Sequence, residues 1–200
     1  KLSEKYLADI PSISKPRKRK PFGQYNNKTV TIEKSISQAH CVIGCPAYAL
    51  NDERRIPFFM LVNLLGGPGM NSRLNLAVRE KHGLVYTIDA NYATYIDTGL
   101  LSIYFGTEKK QLKRTTALVL KELKKLREKQ LGSLQLHTAK EQLMGQLAMA
   151  EESNIGLMMM MGKSILDQGH IDTLNEIFDQ IKNTTAQDLI EIANDVLQEE

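Results

Sequence analysis

The spacing of apolar and polar residues places strands in the first half of the chain. Residues 28–34 alternate β-branched and polar side chains, a pattern that predicts a half-buried strand. Residues 37–45 are more continuously apolar, which predicts a second strand covered on both faces. Two further strands, at 84–95 and 99–106, flank a turn that contains Asp97 and are predicted to form a hairpin.

Helical periodicity occupies the rest of the pattern. Two helices are predicted before the hairpin, at 52–65 and 71–82, and the second ends at Gly83. After the hairpin the period stays helical, with further helices predicted at 109–130, 133–152, 155–168, 172–182 and from a capping box of Thr185 and Asp188 onwards. Strands first and helices later predict an α+β fold, a mostly antiparallel sheet with helices packed on one face.

Four consecutive methionines, Met158 to Met161, fall within one of these helices. Methionine-rich surfaces can bind soft metals or varied peptides. Consecutive side chains on a helix point in all directions around its axis. We therefore expect this run to pack in the core.

The first 27 residues have the composition of a linker, and residues 28–200 are predicted to form a single domain. Residues 1–20 hold seven basic and two acidic residues in a chain of net charge +3, and most of the excess lies in Lys15–Lys20. A domain that binds nucleic acid carries such an excess across a folded face. A local run is more typical of a solvated linker than of a nucleic-acid or localisation patch, so we expect no nucleic-acid partner.

The composition is that of an ordinary globular chain, with 200 residues, 42% hydrophobic and 24% charged. No apolar run approaches the roughly 18 residues of a membrane span, so we expect no membrane partner. Cys41 and Cys45 lie four positions apart in a predicted strand, too far for a disulfide, and two reduced thiols favour a cytoplasmic location. The chain begins without Met and without a signal segment, which we interpret as a piece of a longer polypeptide.

The histidines do not form a recognisable metal motif. Zinc proteolysis needs two histidines one helical turn apart with a carboxylate, as in His-x-x-Glu-His. His40, His82 and His170 are isolated in the sequence, and His137 with Glu141 supplies only two ligands, which is more typical of a surface pair. Nucleophile-elbow and phosphate-loop motifs are absent as well. We expect this chain to bind no metal or cofactor and to contain no catalytic residue of its own.

Three glycines, Gly66, Gly67 and Gly69, form a loop between two predicted helices. Exposed amides before a helix can bind an anion, and glycines also serve sharp reversals of the chain. The loop lacks the Lys and Ser/Thr of a phosphate loop and follows a helix where a strand should precede it. Chain reversal is favoured over anion binding.

Residues 65–86, LGGPGMNSRLNLAVREKHGLVY, resemble a segment of the second, non-catalytic half of pitrilysin/insulinase-type zinc metalloproteases. That group includes the mitochondrial processing peptidases. The apolar strand after Gln38-Ala39-His40 and the last predicted helix are also similar, so the resemblance covers nearly all of residues 28–197. Pro68 departs from the family, which usually has a further glycine there.

The resemblance implies two homologous halves that enclose a clam-shell chamber, with zinc held by the catalytic half. It implies a peptide substrate, and as the partner of this chain a catalytic half in the same polypeptide or in a separate subunit. In the family's second half, an Arg and a Tyr seven residues apart bind the substrate backbone near the scissile bond, and Arg79 and Tyr86 stand at those positions. Without the resemblance, Arg79 is equally a helix C-terminal charge and Tyr86 a half-buried strand aromatic.

Two functions from different classes follow. The first is the substrate-binding half of a zinc endopeptidase or oligopeptidase. The alternative is a structural or assembly subunit that keeps the fold without peptidase action. A His-x-x-Glu-His motif upstream, or in a separate subunit, would favour the first.

Overall fold

A computed structural model describes residues 2–11 and 20–198 of the chain. The strands are β1 (Gln38–Ala47), β2 (Val85–Thr94) and β3 (Gly99–Glu108). A π-helix spans Asn75–Glu80, a 3-10 turn spans Lys109–Gln111, and the α-helices are α1 (Leu2–Leu7), α2 (Arg55–Gly66), α3 (Leu112–Glu128), α4 (Ser133–Glu151), α5 (Asn154–Gln168), α6 (Leu174–Asn183) and α7 (Ala186–Val196). The α+β class and the antiparallel sheet predicted from the sequence are confirmed.

The sheet has the order β1-β3-β2, and both neighbouring pairs are antiparallel. β2 and β3 form the predicted hairpin, while β1 pairs with the other side of β3, placing Ile43 beside Ile103. The register of β2 shifts between Val85 and Ile88, because two residues of β2 lie opposite one residue of β3. This is a β-bulge, which bends the strand and redirects its side chains.

Helices cover one face of the sheet. α2 packs against β2, α3 against β3, and α7 against β1, α2 and α3. Phe58, Phe105 and Val119 are fully buried between these layers. At the start of α7, Thr185 accepts a hydrogen bond from the amide of Asp188 and the Asp188 carboxylate accepts one from the amide of Thr185, which confirms the predicted capping box.

The predicted strand at 28–34 is wrong. These residues pair with no other strand in the described part of the chain, and Val30 and Ile32 are 65% and 74% exposed. Alternation alone makes a strand only where a neighbour supplies hydrogen bonds and a surface that covers the apolar side. This segment has neither within the described residues.

Strand β1 is covered on one face. Its residues Cys41 and Cys45 face the helices as free thiols, whereas Val42 is 67% exposed on the opposite face. The prediction that both faces are covered is therefore wrong. An apolar run of this length fits either a central strand or an edge strand, and β1 stands at an edge of the described sheet.

Two further predictions concern the methionine run and the basic run. The methionine run is exposed, from 38% at Met161 to 65% at Met159, so its predicted place in the core is wrong. Most of the basic run, residues 15–19, lies outside the described residues, and Lys20 is exposed. None of the helices that the structure describes is both long enough and apolar enough to span a membrane.

Candidate functional site

A cleft of about 430 Å³ opens along the part of β2 that contains the bulge. One wall is the loop after α2, and the π-helix lies beside it. The cleft is lined by Gly66, Gly67, Pro68, Asn75, Arg79, Tyr86, Thr87, Ile88, Asp89, Ala90 and Asn91. The structure thus brings together Arg79, Tyr86 and two of the three loop glycines singled out in the sequence.

Arg79 lies in the last turn of the π-helix. The amide of Lys81 donates to the carbonyl of Leu76, five residues back, which is the wider winding of a π-helix. Val78 is fully buried, so the neighbouring Arg79 is directed outwards, and its side chain is 43% exposed. Its Nε lies 3.9 Å from Glu80 Oε1, an exposed and weak contact that leaves the guanidinium available to a ligand.

Tyr86 lies in the β-bulge, seven residues after Arg79. The chain reverses at Gly83, whose φ of +60° is in the left-handed region that favours glycine. The Gly83 amide donates to the Arg79 carbonyl over 2.8 Å, and Thr107 Oγ1 donates to the Leu84 carbonyl over 2.7 Å. These bonds fix the path from Arg79 into the strand. Tyr86 is 83% exposed, far more than a half-buried strand aromatic.

The glycine loop approaches β2 and α4 closely. A Cβ on Gly66 would lie 2.7 Å from the Ala90 nitrogen, and a Cβ on Gly69 would lie 2.4 Å from Gln142 Nε2. The side-chain amide of Asn71 also donates to Gln142 Oε1 over 2.8 Å. Gly66 and Gly67 line the cleft, whereas Gly69 lies against α4 and outside it.

Polar residues of the cleft that the sequence interpretation missed include Asp89 and Asn75. Burial raises the pKa of the Asp89 carboxyl, and the side-chain amide of Asn75 donates to Ser72 Oγ over 2.8 Å. Alternation along β2 was the available signal for Asp89, because Ile88 and Ala90 face the core and the residue between them faces away from it.

The described residues do not fit a zinc ion. Across residues 2–11 and 20–198, no three His, Cys, Asp or Glu side chains are grouped so that they could hold a metal. Burial raises the pKa of both Cys41 and Cys45, which opposes the thiolate form that binds zinc. What the cleft offers to a ligand is hydrogen-bond donors and acceptors, such as Arg79, Tyr86 and Asn75.

Comparison with known proteins gives a consistent family. A family profile described as the peptidase M16 inactive domain matches residues 1–143. An uncharacterized zinc protease of Bacillus subtilis is 34% identical over 158 residues, covering 79% of this chain and 38% of that protein. The mitochondrial-processing peptidase subunit alpha of Rattus norvegicus is 28% identical, covering 81% of this chain and 33% of that protein.

A similar fold occurs in a protease from Helicobacter pylori of known crystal structure. The TM-score is 0.77 at 17% identity, and the match covers 98% of this chain and 48% of that one. The chain spans about two fifths of the length of the curated relatives it matches.

Proposed function

The chain belongs to the family of peptidase M16 inactive domains, and we propose that it is the substrate-binding half of a zinc-dependent endopeptidase or oligopeptidase. In this proposal it forms a chamber with a zinc-bearing catalytic half, either fused or separate. Membership of the family confirms the resemblance drawn from residues 65–86.

The observation that carries the proposal is the pairing of Arg79 and Tyr86 in one cleft. Both side chains are exposed in the cleft, and hydrogen bonds at Gly83 and Leu84 fix the backbone that joins the two residues. A guanidinium and a phenol both donate hydrogen bonds, which suits peptide carbonyls and the oxyanion that forms as a peptide bond is attacked. The alternative, in which Tyr86 is a packed strand aromatic, has less support because its ring is largely exposed.

The metal belongs to the partner in this proposal. Relatives are named zinc proteases, and a metal supplies a Lewis acid in such enzymes. Arg79 and Tyr86 would orient the peptide from the facing half and bind its backbone beside the scissile bond. The proposal therefore requires both a peptide substrate and a catalytic partner, because the peptide would bind between the two halves.

The test removes one donor at a time in the complete enzyme. Tyr86→Phe deletes a hydroxyl and keeps the ring, and Arg79→Ala deletes the guanidinium. We expect each to lower kcat by roughly a hundred- to a thousandfold, the usual loss for one such donor. Arg79→Lys should also lower kcat, since the point charge of an ammonium group does not reproduce the planar, two-pronged donor geometry of a guanidinium. Peptide hydrolysis and zinc content are measured together, and zinc should be unchanged.

Tyr6→Phe is the matched control, because Tyr6 lies on α1, is 69% exposed and does not line the cleft. It should keep the parent rate. If the Arg79→Ala and Tyr86→Phe enzymes stay within about threefold of the parent, a change below about 1 kcal/mol, the two residues are structural. A complete protein with no peptidase activity would favour the alternative function, a structural subunit of the same fold.

A further inference from the structure

Helix α5 carries an exposed apolar stripe on its outer side. The stripe consists of Ile155, Met158, Met159, Gly162 and Leu166, which follow the spacing of one helical face. The four side chains are 75%, 62%, 65% and 86% exposed, and a Cβ on Gly162 would meet nothing within 4 Å. The stripe itself contains no charged residue, and Lys163, which pairs with Asp167 Oδ2 over 2.6 Å, borders it beside Met159 and Leu166. An apolar face of this length differs from an ordinary solvated helix surface.

The helix itself is well defined. Ser153 caps its start by accepting a hydrogen bond from the Gly156 amide over 3.2 Å, and Gly169 ends it with φ of +78°. None of its residues is buried, although it packs along α4. A helix that is specified at both ends and yet buries none of its apolar side chains is typical of an element that completes its packing against another body.

The surroundings of α5 indicate which body this is. The chain covers 38% and 36% of two similar zinc proteases, so these relatives contain a further portion of comparable size. Upstream of β1, Lys20 and Pro21 line a second cleft together with Lys163 and Asp167 of α5. The amide of Phe22 donates to Asp97 Oδ2 over 2.6 Å, which holds this upstream segment at the hairpin turn. If the catalytic half were fused upstream of this chain, residues 20–22, which lie beside α5 and the hairpin turn, would be part of the connection to it.

We propose that the α5 stripe is the docking surface for the zinc-bearing catalytic half. This inference rests on the proposed function for the identity of the partner, and it adds the surface that the partner covers. Contact occurs through apolar packing of Met159 and Leu166, with the flexible methionines adapting to the facing surface.

Photo-crosslinking in the complete protein tests this directly. A benzoylphenylalanine is placed at position 159 or 166, and at position 117 as a control, because Ala117 is exposed on α3 away from the stripe. Crosslinks from 159 and 166 should map to the catalytic half, and crosslinks from 117 should not. Crosslinks that map only within this chain, only to a second copy or only to a peptide substrate would overturn the proposal.

Substitution provides the second measurement. In Met159→Glu/Leu166→Glu, the amides of α5 should exchange hydrogen at least about tenfold faster in the complete protein, because buried carboxylates are not tolerated at an apolar contact. Met159→Leu/Leu166→Met should keep the parent exchange, as should Ala117→Glu. Unchanged exchange in the Glu variant would contradict docking. Neither readout needs substrate, so the two proposals can fail separately. The docking proposal can be contradicted while Tyr86→Phe still lowers turnover, and docking can be confirmed while Tyr86→Phe leaves turnover unchanged.

Discussion

At the scale of single residues, Gly66 shows why the loop beside the cleft needs a missing side chain. It ends α2 and lies against β2, where a Cβ would come within 2.7 Å of the Ala90 nitrogen and 2.8 Å of the Ala90 Cβ. Its φ is not in the left-handed region. Among the described residues, only Gly83 and Gly169 have a φ in that region. Close approach, and not backbone conformation, therefore accounts for glycine at this position.

Gly66→Ala is expected to destabilise the isolated chain by about 1–3 kcal/mol, because the added methyl group meets backbone atoms that cannot move aside. Gly145→Ala is the matched control. Gly145 lies within α4, and a Cβ there meets nothing within 4 Å, so this substitution should stabilise by about 0.5–1 kcal/mol through helix propensity. Urea unfolding followed by circular dichroism measures both. A neutral Gly66→Ala would mean that the loop and β2 separate at no cost.

The residues of the cleft were partly accessible from the sequence. Arg79 and Tyr86 were found through the resemblance, and Gly83 indicated the reversal that brings them close. Asp89 and Asn75 were missed, because their place depends on how β2 and the π-helix pack against the glycine loop. A strand pattern shows which side chains leave the core, but it does not show which of them line a cleft.

At the scale of elements, the π-helix is tied to α3 by a largely buried carboxylate. Glu122 of α3 is 7% exposed at its side chain, and its oxygens lie 3.5 Å from Arg73 Nε and 2.5 Å from Lys125 Nζ. Arg73 precedes the π-helix by two residues, and Leu74 and Val78 of the same turn are fully buried. The ion pair and the apolar contacts together fix the turn that ends in Arg79.

Arg73→Met is therefore expected to lower the free energy of unfolding of the chain by about 1–3 kcal/mol, since a buried carboxylate loses one partner and keeps the other. Arg73→Lys should recover part of this loss. Lys124→Met is the control, because Lys124 and Glu128 form an exposed pair at 3.6 Å that is worth under about 1 kcal/mol. Equal effects of Arg73→Met and Lys124→Met in urea unfolding would show that the buried pair does not anchor the turn.

Elements were predicted well where the pattern of one segment decides the structure. The hairpin and the long helices α3 and α4 lie close to their predicted bounds, because turn formers and amphipathic periodicity are local signals. The strand at 28–34 failed because pairing depends on a neighbour. The prediction that the methionine run is buried was wrong for a related reason, since the burial of α5 depends on what packs against it and not on its own sequence.

At the scale of the whole molecule, the apolar core and the exposed surfaces have different explanations. One cluster joins the sheet to α2, α3 and α7, and it includes Phe58, Phe105 and Ile192. This core gives the isolated chain a basis for folding alone. The exposed side chains of Arg79 and Tyr86 and the α5 stripe lie outside that core, and the proposed catalytic half would cover both.

The isolated chain is consequently expected to fold but neither to retain zinc nor to cleave peptides. Its histidines are dispersed, and no group of metal-ligating side chains forms within the described residues. Burial also raises the pKa of both cysteine thiols, which opposes the thiolate form that binds zinc. Elemental analysis after dialysis against a weak chelator, together with a peptide-hydrolysis assay with and without added chelator, measures both parts. The complete enzyme, dialysed in parallel, is the control and should retain zinc and activity. Stoichiometric zinc on the isolated chain, or chelator-sensitive hydrolysis by it, would contradict the division of labour proposed here, because metal and catalysis would then reside in the half that carries Arg79 and Tyr86.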